Sequence, residues 1–417
     1  MEKLYPFIEY RNGCLYMEDV NLKELAQKLD TPTYVYGKSA ITYWFKEFDK
    51  AFEEIEHLTC FAVKSCSNIN ILALLKELGA GADTVSKGEI FRSLTAGIPA
   101  RKIVFAGVGK RKDEIEYALQ KGILLINVES EGELLAVEEI AQKLNKKARI
   151  SFRVNPEVDP KTHPYISTGL KTSKFGISYE EAIKLYQKAK NLKMIEPLGI
   201  HFHIGSQITD VSTFKEAAEK IAIIVKELNS LGIEIEFFDA GGGLGINYHP
   251  KEDVVPTEKL AKALIPIVKK LGCKLILEPG RRIVGNAGIL LTKILYVKER
   301  DNKTFYIVDA GMNDLFRPSL YKAYHHIVPV EKKETELIDV DIVGPICETG
   351  DIFAERRKMP KLKEGDVLAI LSAGAYGASM SSNYNSRPRP AEVLIDGDSF
   401  RVIRERETLA SLIEREF

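Results

Sequence analysis

The chain has 417 residues, with Lys+Arg and Asp+Glu both totalling 59, so its formal net charge is zero. That length exceeds one ordinary domain and predicts two modules, while the even balance, with no dense Lys/Arg block, argues against a nucleic-acid partner. Five cysteines, at positions 14, 60, 66, 273 and 347, are odd in number, widely spread and without metal-type spacing, which predicts reduced thiols and a cytoplasmic location rather than a disulfide frame.

In chain order, Met1-Glu2-Lys3-Leu4-Tyr5-Pro6 lacks an apolar signal core. Phe7–Arg11 and Cys14–Glu18 flank Asn12-Gly13, a dipeptide suited to a type I′ turn, and predict a β-hairpin. A helix is expected from Ser39 to about Glu56. Apolar runs beginning near Phe61, Ala82, Ile103, Leu124, Ile150, Gly199, Phe237 and Leu275 read as strands, with helix-like segments between most neighbours. Helix starts recur at Ser86, Ser130 and Ser178, each three residues before a glutamate as in a capping box. Phe214, Ala218, Ile221, Val225 and Leu228 mark one buried helix face. Eight strand-helix units of this kind predict an α/β fold, a (β/α)8 TIM-type barrel. Past Arg282 the texture changes to β, with strands at Tyr306–Val308, Leu337–Val343, Val367–Leu371 and Val393–Ile395 and a last helix over Glu407 to Glu414. The longest apolar stretch, Ile289 to Val297, is broken by Thr292 and Lys293, so no membrane span is expected.

Catalytic groups of such barrels sit where strands end. Lys64 closes the run Phe61-Ala62-Val63-Lys64 and is a candidate Schiff-base nucleophile for the ring aldehyde of pyridoxal 5′-phosphate, against the plainer reading of a solvated strand end. Asp83, Arg153, His203, Gly241-Gly242-Gly243 and Glu278 stand at other strand ends. Three glycines in a row let backbone N–H groups converge on a phosphate, and Ser206 can add a hydroxyl, although glycine runs also occur in plain turns. Glu278, ending the eighth strand, is the acid that would keep a pyridine nitrogen protonated. His201 and His203 are expected on one strand face, with one stacking on a flat ring; a metal site is the alternative, but no third ligand has convincing spacing and no metal is expected. In the β-rich part, Cys347 beside Glu348 is a proton-donor candidate. Arg317, with Tyr321 four residues on, suits bidentate carboxylate recognition.

His-Phe-His-Ile-Gly-Ser-Gln (201–207), Glu-Pro-Gly-Arg (278–281), Arg-Pro-Ser-Leu-Tyr (317–321), Cys-Glu-Thr-Gly-Asp (347–351) and Ala-Gly-Ala-Tyr-Gly (373–377) together resemble the diaminopimelate decarboxylase family. This family lies within the alanine-racemase-like group of pyridoxal-phosphate enzymes that includes ornithine and arginine decarboxylases. The resemblance covers nearly the whole chain. It implies a barrel over residues 35–280 and a β-rich domain from 1–34 and 281–417. It assigns Lys64 to the cofactor aldehyde, His203 to its ring face, Ser206 and Gly241 to Gly243 to the phosphate, and Glu278 to the ring nitrogen. Asp83, Arg153, Pro279, Gly280, Arg281 and Tyr376 complete the cofactor-binding set. Arg281, Arg317, Tyr321, Glu348 and Tyr376 would bind substrate, and Cys347 would protonate the carbanion. The implied reaction is decarboxylation of meso-2,6-diaminopimelate to L-lysine and CO2, the last step of lysine biosynthesis, in a homodimer whose Cys347 and Glu348 complete the partner's site. Decarboxylation of ornithine, arginine or carboxynorspermidine, or a non-catalytic cofactor-binding role, are the alternatives. Ser65-Cys66 departs from the small residue and asparagine usual after the lysine.

Overall fold

The computed structural model describes residues 4–159, 162–163, 168–169, 174–251, 255–301 and 303–417. The chain divides into two compact units, one made of Phe45–Gly245 and Val255–Gly280, the other of the chain up to Trp44 with Ile246–Val254 and Arg281–Phe417.

The first unit is a closed barrel of eight strands: His57–Ala62, Gly81–Thr84, Ile103–Phe105, Leu125–Val128, Ala148–Arg153, Ile195–His201, Phe237–Asp239 and Lys274–Leu277. All neighbours pair in parallel, and the last strand closes on the first through Leu277 opposite Thr59. Runs such as Leu125-Ile126-Asn127-Val128 are buried throughout because parallel strands are covered on both faces.

Helices start where the serines predict. The Ser86, Ser130 and Ser178 hydroxyls accept the Glu89, Glu133 and Glu181 backbone N–H groups at 3.2, 3.2 and 3.3 Å. The return bonds of Glu89 and Glu133 reach one residue further back, to the N–H groups of Val85 and Glu129. The helix Ser212–Ser230 buries Phe214, Ala218, Ile221, Val225 and Leu228.

Several local expectations shift. The first strand starts at His57 and stops at Ala62, so Lys64 lies on a one-turn 3-10 segment, Val63–Ser65, rather than on the strand. The sixth strand begins at Ile195, but its register slips between Pro197 and Gly199, which hides the early part from an alternation count. It also stops at His201, so His203 is past the strand and the two histidines do not share a strand face. The predicted helix from Ser39 runs only over Lys38–Lys50, and the last helix only over Leu409–Ile413.

In the second unit, Ile8–Arg11 and Cys14–Met17 form the expected hairpin, with φ of 49° at Asn12 and 81° at Gly13, the two positive values of a type I′ turn. Its inner residues Leu4, Tyr5, Leu15 and Met17 pack on Val35, Ile289, Leu291, Ala369 and Val393 of a larger mixed sheet. That sheet is organised by Gly288–Arg300, a 13-residue strand not expected as such, which pairs with Thr33–Gly37, Val367–Ile370 and Lys303–Val308 along successive stretches. Because Thr33–Gly37 belongs to this sheet, the expected division at residue 35 falls inside a strand. No helix among the described residues is long and apolar enough to cross a membrane.

One buried ion pair ties adjacent barrel segments. The Lys110 ammonium donates to the Gly107 and Asn127 carbonyls at 2.7 and 2.6 Å and to the Glu133 carboxylate at 2.6 Å, and its side chain is 1 % exposed. Lys110→Met strands a buried carboxylate and two carbonyls, and is expected to cost about 3 to 5 kcal/mol in urea unfolding. Lys110→Met/Glu133→Leu should recover most of that loss, and a single variant within 1 kcal/mol of the parent on the scale of a surface change refutes the assignment.

Candidate active site

Lys64 is presented by a turn that its neighbours lock. The Ser65 hydroxyl donates to the Ala62 carbonyl at 2.7 Å and the Cys66 N–H to the Val63 carbonyl at 3.1 Å, so the departure at Ser65-Cys66 builds this turn. The Glu278-Pro279-Gly280 turn packs directly on it. The Pro279 carbonyl accepts the Ala62 N–H at 3.0 Å, and a Cβ on Gly280 would stand 2.8 Å from the Ser65 hydroxyl. The Lys64 ammonium reaches the Asp83 carboxylate at 3.1 Å, at the end of the second strand. Burial, followed by the charge of Glu278, pushes the Asp83 carboxyl up, and Lys64 opposes both.

Topology brings three further groups to the same barrel end. His201 stands opposite Asp239 in the parallel register, and Glu278 follows the neighbouring last strand. His201 Nε2 lies 3.5 Å from Glu278 Oε2, and one ligand atom from each of His201, Asp239 and Glu278 falls within 4.8 Å of the others. This supplies the third polar partner that spacing did not reveal, since positions 201, 239 and 278 are far apart in sequence. Burial would raise the Glu278 carboxyl, but His201, by charge and hydrogen bond, and then the Lys64 charge outweigh it and hold it below the usual carboxylate range. Asp239 goes the other way: burial and the adjacent Glu278 charge push it well up. The two neighbouring acids are therefore pushed in opposite directions, Glu278 toward its charged form and Asp239 toward its protonated form. Glu278 Oε1 is buried with no hydrogen-bond partner among the described residues.

His203 accepts the Gly242 N–H at Nδ1, 3.2 Å away, which puts its own proton on Nε2. Burial, then the Lys64 and Arg153 charges, drive its proton affinity well below that of a free imidazole, so the ring is neutral. The glycine loop is built by close backbone approach. A Cβ on Gly241, Gly242 or Gly243 would stand 2.5, 2.0 or 2.2 Å from the carbonyl oxygens of Phe202, Glu278 and Gly205. Two of its N–H groups have internal acceptors, Gly241 to Asp239 at 3.0 Å and Gly242 to His203. The expectation that all three converge on an anion is corrected accordingly. The loop that carries Ser206 runs alongside, through the Ile208 N–H to the Gly243 carbonyl at 2.9 Å.

Arg153 is neutralised by the buried Glu129 at 3.2 Å and lies 4.5 Å over the Phe175 ring. Glu129 was not singled out in the sequence, and neither was Glu89, read only as a capping residue. Burial pushes the Glu89 carboxyl up to about 7, despite the Val85 N–H bond, and it feels both Asp83 and Lys64.

In the β-rich unit, Arg281 and Arg317 share the ring of Tyr248, with guanidinium carbons 5.9 and 4.4 Å from its centroid, and Arg281 also lies 4.7 Å over Tyr376. Arg317 donates to His325 Nε2 at 2.7 Å, and His325 Nδ1 donates to the Leu371 carbonyl at 2.8 Å. Burial and the two arginines bring His325 down to about 3. Burial likewise lowers the proton affinity of Arg317, with Arg281 adding to it, and no carboxylate pairs with Arg317 among the described residues. Tyr248 and His325 were missed because neither lies in a run that suggests chemistry. Tyr321 ends the short helix Arg317–Tyr321, while Cys347 and Glu348 are exposed on the loop from Gly344 to Asp351.

Residues 38–285 match the family described as pyridoxal-dependent decarboxylase, pyridoxal binding domain. A diaminopimelate decarboxylase of Aquifex aeolicus is 51 % identical over 99 % of this chain and 98 % of its own. The chain belongs to the diaminopimelate decarboxylase family. Among solved structures, the Helicobacter pylori diaminopimelate decarboxylase complexed with L-lysine has a TM-score of 0.92 at 48 % identity, covering 95 % of this chain and 99 % of that one. The M. jannaschii enzyme, in co-complex with L-lysine, has a TM-score of 0.95 at 40 % identity, covering 99 % and 98 %. The family's cofactor is pyridoxal phosphate, and the barrel mouth fits it: an amine on a rigid turn, a neutral imidazole, and an ionised acid with one oxygen still seeking a donor.

The neutral histidines set an acid response. In the unfolded chain each takes up a proton near its ordinary value of about 6.5, whereas buried His203 and His325 stay neutral far below it. Their contribution to stability is complete above that value and is lost as pH falls toward the folded-state values, by up to about 1.4 kcal/mol per pH unit for each group. Urea midpoints measured between pH 7.5 and 5 should fall less steeply for His325→Gln than for the parent. Equal slopes would remove His325 from this account.

Proposed function

We propose that this chain decarboxylates meso-2,6-diaminopimelate to L-lysine and CO2, with pyridoxal phosphate held at the barrel mouth. The observation that carries this reading is Glu278, a buried carboxylate kept ionised at the same barrel end as Lys64. Bound there, the cofactor supplies an electron sink for the pair released when CO2 leaves. Lys64 is the residue that binds its aldehyde, and Asp83 orients that amine. Glu278 offers its charge to the pyridinium proton. His203, neutral and fixed by Gly242, presents a flat face, and Arg153 is set by Glu129. Ser206 and the Gly241-Gly242-Gly243 loop take the phosphate, with Arg281 and Tyr376 as further contacts, and Pro279 and Gly280 seat the Lys64 turn.

Recognition falls to the β-rich unit. The buried Arg317 guanidinium, with no carboxylate partner among the described residues, favours a substrate that brings one, as diaminopimelate does with its second amino-acid end and ornithine does not. Arg281, Arg317 and Tyr321 receive that far carboxylate and Glu348 its ammonium. The Cys347 thiol delivers the proton to Cα. Cys347 and Glu348 are exposed on their own chain, which supports a homodimer in which they serve the partner's site. None of the five cysteines forms a disulfide, in keeping with a reducing, cytoplasmic setting.

The deciding assay is CO2 release by the cofactor-supplied protein from meso-diaminopimelate, ornithine, arginine and carboxynorspermidine. Diaminopimelate should be preferred, and preference for ornithine would overturn the substrate assignment. Lys64→Ala should abolish both turnover and the visible absorption of the lysine-bound cofactor. Arg317→Met removes charged hydrogen bonds worth about 1.5 to 3 kcal/mol, so KM for diaminopimelate should rise about ten- to hundredfold.

A further inference from the structure

The chemistry above makes no use of the segment Ser382-Asn383-Tyr384-Asn385. Two successive residues of this segment nevertheless engage two successive residues of the reactive loop. Asn385 Oδ1 accepts the Cys347 N–H at 2.9 Å, and the Tyr384 hydroxyl lies beside the Glu348 carboxylate.

Both partners of this contact are anchored from behind. On one side, the Ser382 N–H donates to the Asn313 carbonyl at 2.8 Å, and Asn383 Nδ2 donates to Glu407 Oε2 at 2.6 Å and to the Arg387 carbonyl at 3.1 Å. Asn385 itself is held at φ 56° and ψ 27°, a left-handed conformation that asparagine tolerates better than most residues. On the other side, the buried Asp351 carboxylate accepts the Met312 and Ile346 N–H groups, both at 2.7 Å, and the Gly350 carbonyl accepts the Ser319 hydroxyl at 2.7 Å. Asp351 and Ser319 thus fix the loop before Cys347 and after Glu348. Between those points Cys347 and Glu348 are exposed, where water would compete for every backbone group. The loop turns about Cys347 through the Glu348 N–H to the Ile346 carbonyl at 2.7 Å, and the Asn385 acceptor ties that turn, through the Cys347 N–H, to a neighbouring segment.

We propose that Asn385, assisted by Tyr384, is a positioning residue that holds Cys347 and Glu348 in their working geometry; this deepens the decarboxylase reading and rests on it. Asn385 touches no reacting atom. Its effect is to fix where the thiol and the carboxylate stand, so its loss should slow protonation while leaving the groups that bind cofactor and the far carboxylate in place.

The test uses the full-length holoenzyme with two variants. Asn385→Gly keeps the left-handed backbone without strain and removes the acceptor, whereas Asn385→Asp keeps an acceptor in a residue that also tolerates this conformation. For Asn385→Gly the expectation is kcat lowered tenfold or more, with KM for diaminopimelate rising less than tenfold, because Arg281, Arg317 and Tyr321 still hold the far carboxylate while Glu348 loosens on the ammonium. Iodoacetamide should label Cys347, followed by peptide mass spectrometry, at least threefold faster than in the parent. Asn385→Asp should bring kcat back to within threefold of the parent. The proposal is overturned if Asn385→Gly leaves both kcat and the labelling rate unchanged. It is equally overturned if kcat, cofactor affinity and melting temperature fall together and Asn385→Asp rescues none of them, which is the signature of a merely structural residue. Should the parent itself release no CO2 from diaminopimelate, the functional reading fails instead, and the labelling comparison alone decides whether Asn385 fixes the loop.

Discussion

A buried carboxylate that stays charged is the constraint on which the barrel mouth depends. Moving an ion out of water is expensive, and a protein normally answers by protonating the group or pairing it. At this mouth the answer is divided among neighbours. Asp239 is pushed toward its protonated form by burial and by Glu278 itself, while His201 and Lys64 hold Glu278 toward its charged form. The two acids are thus driven in opposite directions within one cluster, the arrangement that lets a single fold hold an acid and a charge side by side. Lys64, His201, Asp239 and Glu278 come from the ends of four different strands, so the electrostatic balance is a product of the closed barrel.

The β-rich unit meets the converse problem with cations. Arg281 and Arg317 are both buried, and the faces of Tyr248 and Tyr376 supply part of the stabilisation that water would otherwise give. His325 completes the cluster as a neutral acceptor, its proton affinity suppressed by burial and by the arginines it serves. A protonated His325 would add a third positive charge and lose the bond to Arg317. The neutral imidazole is therefore a requirement of the arginine pair.

Much of this was readable from the residues, for identifiable reasons. The barrel was legible because parallel strands are continuous apolar runs, and Lys64, Asp83 and Glu278 stand out as polar residues where such runs stop. The glycine triplet was legible as a loop of close approach, yet the internal use of the Gly241 and Gly242 N–H groups was not, since it depends on Asp239 and His203 folding back onto them. His201 was assigned to the face of His203 because alternation was carried two residues too far; the strand ends at His201 and the chain turns. Glu129, Tyr248, His325 and Asn385 carried no local signal. Each acts on a residue distant in sequence: Glu129 on Arg153, Tyr248 on Arg281 and Arg317, His325 on Arg317, and Asn385 on Cys347. Sequence spacing reports what is close along the chain, and these contacts are made by topology.

The charge pattern at the barrel mouth also bears on what it is built to receive. Lys64 is already matched by Asp83, whereas Glu278 has one oxygen facing His201 and another, Oε1, that is buried and without a donor. Leaving such an acceptor unsatisfied costs about 1 to 3 kcal/mol, and more when the group is charged. A barrel end that retains this cost is complementary to a ligand that brings one positively charged N–H to Oε1 and a group that Lys64 can bind. A phosphorylated aldehyde with a basic ring nitrogen meets both conditions. A metal ion at His201, Asp239 and Glu278 would satisfy the acids but leave the amine, the neutral His203 ring and the glycine loop without a purpose. The whole set of groups, rather than any one of them, distinguishes the two.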